Sequence, residues 1–128
     1  MNVIGIGTDI VKVSRFENWQ HKSCRQLRRI FSEDELKDVF AESHLISQRF
    51  ATRFAAKEAL YKAFCYSTPN FKIPLITFCR HVSVKKGDKL VFIVDREILG
   101  VSYCNILLSI SHAEEYAVAF VMMTGIHK

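Results

Sequence analysis

The stretch RFAAKEALYKAF, residues 53–64, constrains this chain more than any other. Read as a helix, it spreads Phe54, Ala55, Ala56, Ala59, Leu60, Tyr61, Ala63 and Phe64 almost all the way round its axis. A helix that only roofs a core keeps one apolar stripe and turns its charges outward. A helix with so little polar surface is mostly buried, so Arg53, Lys57, Glu58 and Lys62 need partners: other side chains, a metal or a ligand. Arg53 and Lys57 stand four apart, where like charges repel by a few tenths of a kcal/mol. An anion between or beside them is the economical reading, and it points to a phosphate-type ligand. Glu58 and Lys62 are also four apart with the acid first, the favourable order for a helical ion pair, and taken alone that pair is structural.

The rest of the chain supplies the frame for this helix. Its 128 residues suit one compact domain, expected to span 1–128, and are too few for two. Half the residues are apolar and a quarter charged, an ordinary globular balance that argues against disorder. No apolar run approaches the length of a membrane span, and the start, MNVIGIGTDIV, lacks the basic opening and cleavage site of a signal peptide. Cys24, Cys65, Cys79 and Cys104 fall at no metal-ligand spacing, so free thiols and a cytoplasmic location are expected.

The charge is unevenly laid out. Lys12, Arg15, Lys22, Arg25, Arg28 and Arg29 face a single Glu17 over residues 12–30, an excess that equals the net charge of +5 of the whole chain. Residues 31–48 swing acidic, with Glu33, Asp34, Glu35, Asp38 and Glu42 against Lys37. The basic segment is either a solvated face or a patch that steers an anionic partner.

The elements expected are few. Residues 2–8 read as a short strand with close backbone approach at its glycines, ending at Thr8-Asp9. Ser14 with Glu17, and more strongly Ser32 with Glu35, have the form of capping boxes; Phe31 and Leu36 suit a hydrophobic staple on the second, whose helix should run to about residue 42. The long helix should cover 47–64, stopped before Pro69 and Pro74. Residues 78–94 read as two strands turning at Lys86-Gly87-Asp88, and residues 105–122 as two more turning at His112-Ala113-Glu114, the latter pair being the most apolar and central to the sheet. The class expected is α+β.

Two distant carboxylates, Asp9 and Glu58, would with substrate phosphate oxygens and water make a magnesium site, since that ion rarely has an all-protein cage. Asp9 could equally cap the turn after its strand, and His112 in a hairpin turn is on its own an ordinary structural histidine. Neither standard glycine-rich phosphate loop, nor a histidine pair at metal spacing, nor a nucleophile elbow is present. Residue chemistry alone therefore reaches a small α+β domain suited to magnesium and phosphates, with a basic docking patch.

Three blocks carry more. GIGTDIVKVSRF (5–16), RFAAKEALYKAF (53–64) and LSISHAEEYAVA (108–119) resemble, in order and spacing, the signature blocks of the holo-[acyl-carrier-protein] synthases, the small bacterial type of phosphopantetheinyl transferase. The resemblance implies a mixed, mostly antiparallel sheet packed on a long central helix. It also implies magnesium-dependent transfer of the 4′-phosphopantetheine arm of coenzyme A to a serine of apo acyl carrier protein, in fatty acid biosynthesis. By motif position, Asp9 and Glu58 would hold the magnesium, Lys62 would reach the pyrophosphate, and Arg53 and His112 would hold the 3′-phosphate. Arg15, Lys22 and Arg25 fall at the docking positions for the acidic carrier protein. The resemblance further implies a homotrimer with active sites at its subunit interfaces, and no nucleic-acid or membrane partner. Two departures stand out: CYSTPNF at 65–71, where the family has a glycine-rich loop, and Ala113, where many relatives have a hydroxyl residue or glutamate.

Two other classes compete. A nucleic-acid-binding module on residues 12–30 would need exposed aromatics among its cations, and only Phe16 and Trp19 are near. A magnesium-dependent phosphohydrolase would share Asp9 and Glu58 but would not need an acidic protein acceptor.

Overall fold

The computed structural model describes residues 2–99 and 104–125. Strand β1 (Asn2–Lys12) pairs with β5 (Tyr116–Gly125), which pairs with β4 (Asn105–His112), giving a three-stranded sheet with β5 at its centre. Strands β2 (Val82–Lys86) and β3 (Leu90–Val94) form a separate hairpin, and every pairing is antiparallel. The helices are α1 (Cys24–Leu27), α2 (Glu33–Phe40), α3 (Ile46–Ser67), α4 (Leu75–Arg80) and α5 (Arg96–Leu99). The expected α+β architecture, a sheet on a long central helix, is the one observed.

Helix α3 lies directly on β1, and the small residues of both make that possible. A methyl group on Gly7 would stand 1.9 Å from the carbonyl oxygen of Ala59, and one on Gly5 would stand 2.5 Å from that of Ala63. Only glycine lets strand backbone and helix backbone touch here. On its other sides α3 packs aromatics. Phe50 and Phe54 join Phe16, Trp19 and Phe31, while Tyr61 and Phe64 join Phe71 and Phe78, with ring centroids of these pairs 4.6–6.3 Å apart. Phe16 is thus fully buried and Trp19 is packed against the core, so neither is free to stack on a base.

Helix α2 starts as its sequence says. Ser32 Oγ accepts from the Glu35 amide and Glu35 Oε1 accepts from the Ser32 amide, the reciprocal capping box. The Ser14–Glu17 box does not form: residues 13–16 make a 3₁₀ turn with no side-chain cap. The reciprocal box in this region is Ser23 with Gln26, opening α1.

Three expected boundaries are corrected. Strand β1 does not stop at Thr8-Asp9; its ladder to β5 continues to the Lys12–Tyr116 pair, so Asp9 is an interior strand residue. Residues 78–80 belong to α4, which Pro74 introduces as N-cap, and the strand begins at Val82. Helix α3 runs on to Ser67, so of the expected loop 65–71 the first three residues are helical. At its other end α3 begins after Leu45, whose φ of 62° is the only positive value of a non-glycine residue among the described residues.

Candidate active site

Pairing with β5 turns Gly5, Gly7, Asp9 and Val11 toward α3, because side chains alternate along a strand. Asp9 therefore faces the helix, where Glu58 and Lys62 meet it. Lys62 Nζ donates to Asp9 Oδ1 at 3.2 Å and to the Thr8 carbonyl at 3.0 Å, so its ion pair is made across to the strand. The other carboxylate oxygen, Asp9 Oδ2, is buried with no hydrogen-bond partner. Glu58 completes the group: its carboxyl is pushed up to about 7 by burial first, then by its hydrogen-bonding contact with Asp9 and by the Asp9 charge. Lys62 and Arg15 oppose that rise. Two neighbouring carboxylates with one ammonium, Lys62, bonded to Asp9 have room for a further positive charge, either a shared proton or a cation. Among the described residues no cluster of three or more His, Cys, Asp or Glu exists, so any metal here would draw its remaining ligands from substrate and water.

Arg53 and His112 come together elsewhere, in the wall of a cavity of about 610 Å³ bounded by α3, the β2–β3 turn and β4. Arg49, Lys86 and Lys89 line the same cavity, with Asp88 as the one acidic residue. Arg53 is only 4% exposed. Its Nη1 donates to the Arg49 carbonyl at 3.4 Å, and its Nε has no partner. Burial pushes its guanidinium below the ordinary value, against the pull of Asp38 and Glu35 and with Arg49 adding to the fall. A buried, under-partnered cation on a cation-rich wall is a site for an anion. Gln48 Nε2 lies 2.5 Å from His112 Nδ1, a contact between residues that no spacing in the sequence connects.

The two groups sit on different sides of α3. Nine residues at 100° each put Arg53 and Lys62 about 180° apart and about 13.5 Å along the axis. In the sheet, Asp9 belongs to the β1 edge and His112 to the β4 edge.

Lys57 departs from expectation. It does not share an anion with Arg53: its ammonium is fully buried 2.6 Å from Glu35 and donates also to the carbonyls of Ile30 and Cys79. Glu35 in turn accepts from the amides of Ser32 and Val84. The anion that Lys57 needed is supplied by the protein, from an acidic helix whose approach to α3 only the tertiary fold brings about.

The basic segment follows β1, and its Arg15 is the cation that reaches the carboxylates. Arg15 is exposed, stacked over Phe54 with its guanidinium carbon 4.9 Å from the ring centroid, and its charge reaches Glu58. Lys22 lies 5.4 Å over the Trp19 ring, and Arg25 is exposed in the last turn of α1. No helix among the described residues is long and apolar enough to cross a membrane.

Residues 5–121 match the model of the 4′-phosphopantetheinyl transferase superfamily. The chain belongs to that superfamily. Its relatives there include the holo-[acyl-carrier-protein] synthase of Treponema pallidum, 35% identical over 96% of this chain and 97% of the relative. The synthase of the same name from Ehrlichia chaffeensis is 38% identical over 94% and 96%. Among solved structures, the holo-(acyl-carrier-protein) synthase of Bacillus anthracis in complex with CoA (3′,5′-ADP) superposes with a TM-score of 0.75 at 28% identity, covering 97% of this chain and 98% of that one. The three sequence blocks thus led to the right family, and this phosphopantetheinyl transferase is an enzyme of the holo-[acyl-carrier-protein] synthase type.

Proposed function

We propose that this transferase, as one domain over residues 1–128, moves the 4′-phosphopantetheine arm of coenzyme A onto a serine of an apo acyl carrier protein. In this reading Asp9 and Glu58 hold magnesium, and the enzyme works in the cytoplasm, in fatty acid biosynthesis. The observation that carries it is the Asp9–Glu58 pair. Strand and helix bring the two carboxylates face to face, with Asp9 Oδ2 unpartnered, an arrangement that fits a hard divalent cation.

In the reaction the serine oxygen bonds to the phosphorus that carries pantetheine. The bond from that phosphorus to the bridging oxygen breaks, the serine proton is lost, and adenosine 3′,5′-bisphosphate leaves. Magnesium, when bound, polarises the pyrophosphate and neutralises charge developing on the leaving phosphate. Lys62, tethered to Asp9 and the Thr8 carbonyl, keeps a third N–H for the pyrophosphate. Arg53 and His112 hold the 3′-phosphate in the cation-rich cavity. Arg15, whose charge reaches Glu58, meets the acidic carrier protein together with Lys22 and Arg25.

The homotrimer is part of the same proposal. The sheet face turned away from α3 is open and apolar: Ile6, Met122 and Leu107 stand in one register row, flanked by Phe120 and Ile10. Monomers seldom leave a large apolar patch uncovered. In this reading the trimer's active sites lie at its subunit interfaces.

The test is incubation with coenzyme A, magnesium and apo carrier protein, followed by mass spectrometry. A carrier mass gain of one phosphopantetheine is expected, abolished in Asp9→Ala and Glu58→Gln. Coenzyme A cleavage with no gain on the carrier would instead make the protein a phosphohydrolase.

A further inference from the structure

We propose that Gln48 is a positioning residue that fixes the tautomer of His112, so that the imidazole presents its Nε2–H to the anionic group of the ligand. The inference rests on the reading that His112 meets a phosphate of coenzyme A, and adds which nitrogen does so and what sets it.

The geometry is specific. Leu45, in its left-handed conformation, starts α3, and Gln48 follows in the first turn. His112 is the last residue of β4, one position before the turn to β5. These two elements close on each other so that Gln48 Nε2 meets His112 Nδ1 at 2.5 Å. An amide nitrogen of glutamine only donates. The ring nitrogen facing it must therefore accept, which leaves the ring proton on Nε2. Both side chains, with Leu45, form part of the wall of the 610 Å³ cavity and also of a second cavity of about 590 Å³. With Nδ1 engaged by Gln48, Nε2–H is the ring's remaining donor for a ligand. A neutral N–H donor adds direction where Arg53, with Arg49, Lys86 and Lys89, already supplies positive charge. Without Gln48 the ring would be free to populate both tautomers, and the one bearing Nδ1–H would turn a lone pair toward the phosphate.

The experiment uses the full chain, with imidazole nitrogens labelled, in two arms. Long-range proton–nitrogen correlation spectra of the free protein, at a pH where the ring is neutral, should show His112 as the Nε2–H tautomer. Gln48→Leu should give a mixture, and Gln48→Glu, whose carboxylate accepts from Nδ1–H, should reverse it. In the kinetic arm, Gln48→Leu should raise the KM for coenzyme A about three- to tenfold, the worth of one hydrogen bond, with kcat within about twofold. Combining it with His112→Ala should add nothing beyond His112→Ala alone. An Nδ1–H ring in the unmutated protein, an unchanged tautomer in Gln48→Leu, or additive effects of the two mutations would each overturn the proposal. The spectra are read without substrate, so they stand even if the coenzyme A reading fails. That failure would show separately, as a His112→Ala variant with an unchanged KM for coenzyme A.

Discussion

Glu58 holds its proton up to about 7 because it is half-buried and faces Asp9. A magnesium ion entering between them must displace that proton, so binding should be linked to pH. With a pKa of about 7, about one chain in ten has the Glu58 carboxylate free at pH 6 and about nine in ten at pH 8, so apparent magnesium affinity should rise about tenfold across that interval. Calorimetric titration with magnesium at pH 6, 7 and 8, in buffers of different ionisation enthalpy, counts the released proton directly. Glu58→Gln should bind more weakly and lose this slope.

The same group should act on stability with a definite sign. Its folded pKa lies above the unfolded value near 4.5, so the native state holds the proton more tightly than the unfolded chain between those values. The contribution is therefore full below about 4.5 and is lost as pH rises through about 7. Full burial would make this shift worth about 3 kcal/mol, and solvent at the half-exposed carboxyl reduces it to about 1–2 kcal/mol. Urea denaturation of the metal-free protein from pH 4.5 to 8 should show that decline as the difference between wild type and Glu58→Gln, reversed by millimolar magnesium. Parallel stability curves for the two proteins, with flat magnesium affinity, would refute the shared-proton picture of the site.

Other consequences follow from particular contacts. Gly7→Ala places a methyl 1.9 Å from a helix carbonyl where ordinary contact begins near 3.4 Å, so α3 must lift by about 1.5 Å; a loss of about 3 kcal/mol or more is expected in chemical denaturation. Lys57→Met should cost about 3–5 kcal/mol because it strands the buried Glu35 carboxylate, whereas Lys57→Met with Glu35→Gln should recover part of that loss, read from the same denaturation curves. Arg15→Glu or Arg25→Glu should weaken apparent carrier-protein affinity and its salt dependence while sparing that for coenzyme A, each exposed contact being worth on the order of 1 kcal/mol or less. Arg53→Ala should do the reverse, and steady-state kinetics for both substrates at two ionic strengths would separate the cases.

What the sequence made legible was what is local or what a motif records. The Ser32–Glu35 box needs only four consecutive residues and formed as read. The similar-looking Ser14–Glu17 pair did not, because Val13 is tied by its amide to the Glu115 carbonyl and the chain there continues the sheet edge into a 3₁₀ turn. The end of β1 lies beyond Thr8-Asp9 for the same kind of reason: Ile10 and Val11 suit a strand, but it is the ladder to Tyr116–Ala119 that carries Asp9 and Lys12 along with them. That Lys57 needed an anion was readable from α3 alone; that the anion is Glu35 was not, since it depends on how α2 docks. Asp9 and Glu58 were linked by motif order, while the Gln48–His112 contact leaves no trace in spacing at all.

The placement of the remaining charges bears on assembly. A ligand with a pyrophosphate and a 3′-phosphate would have to reach Lys62 and Arg53, which one α3 aims in opposite directions. The apolar sheet face and the two separated half-sites then have a common explanation in the proposed trimer, where each coenzyme A would lie between chains. A ligand that bridges subunits binds the assembly and not the lone chain, so by mass action it must stabilise the assembly as the assembly stabilises its binding. On dilution, the KM for coenzyme A should therefore climb over the same enzyme concentrations at which sedimentation shows the mass falling toward a single chain. Phe120→Lys, which charges the open face, should bring both transitions to higher concentration together. An active single chain with an unchanged KM would mean that one copy holds the whole ligand, and that the open face serves another purpose.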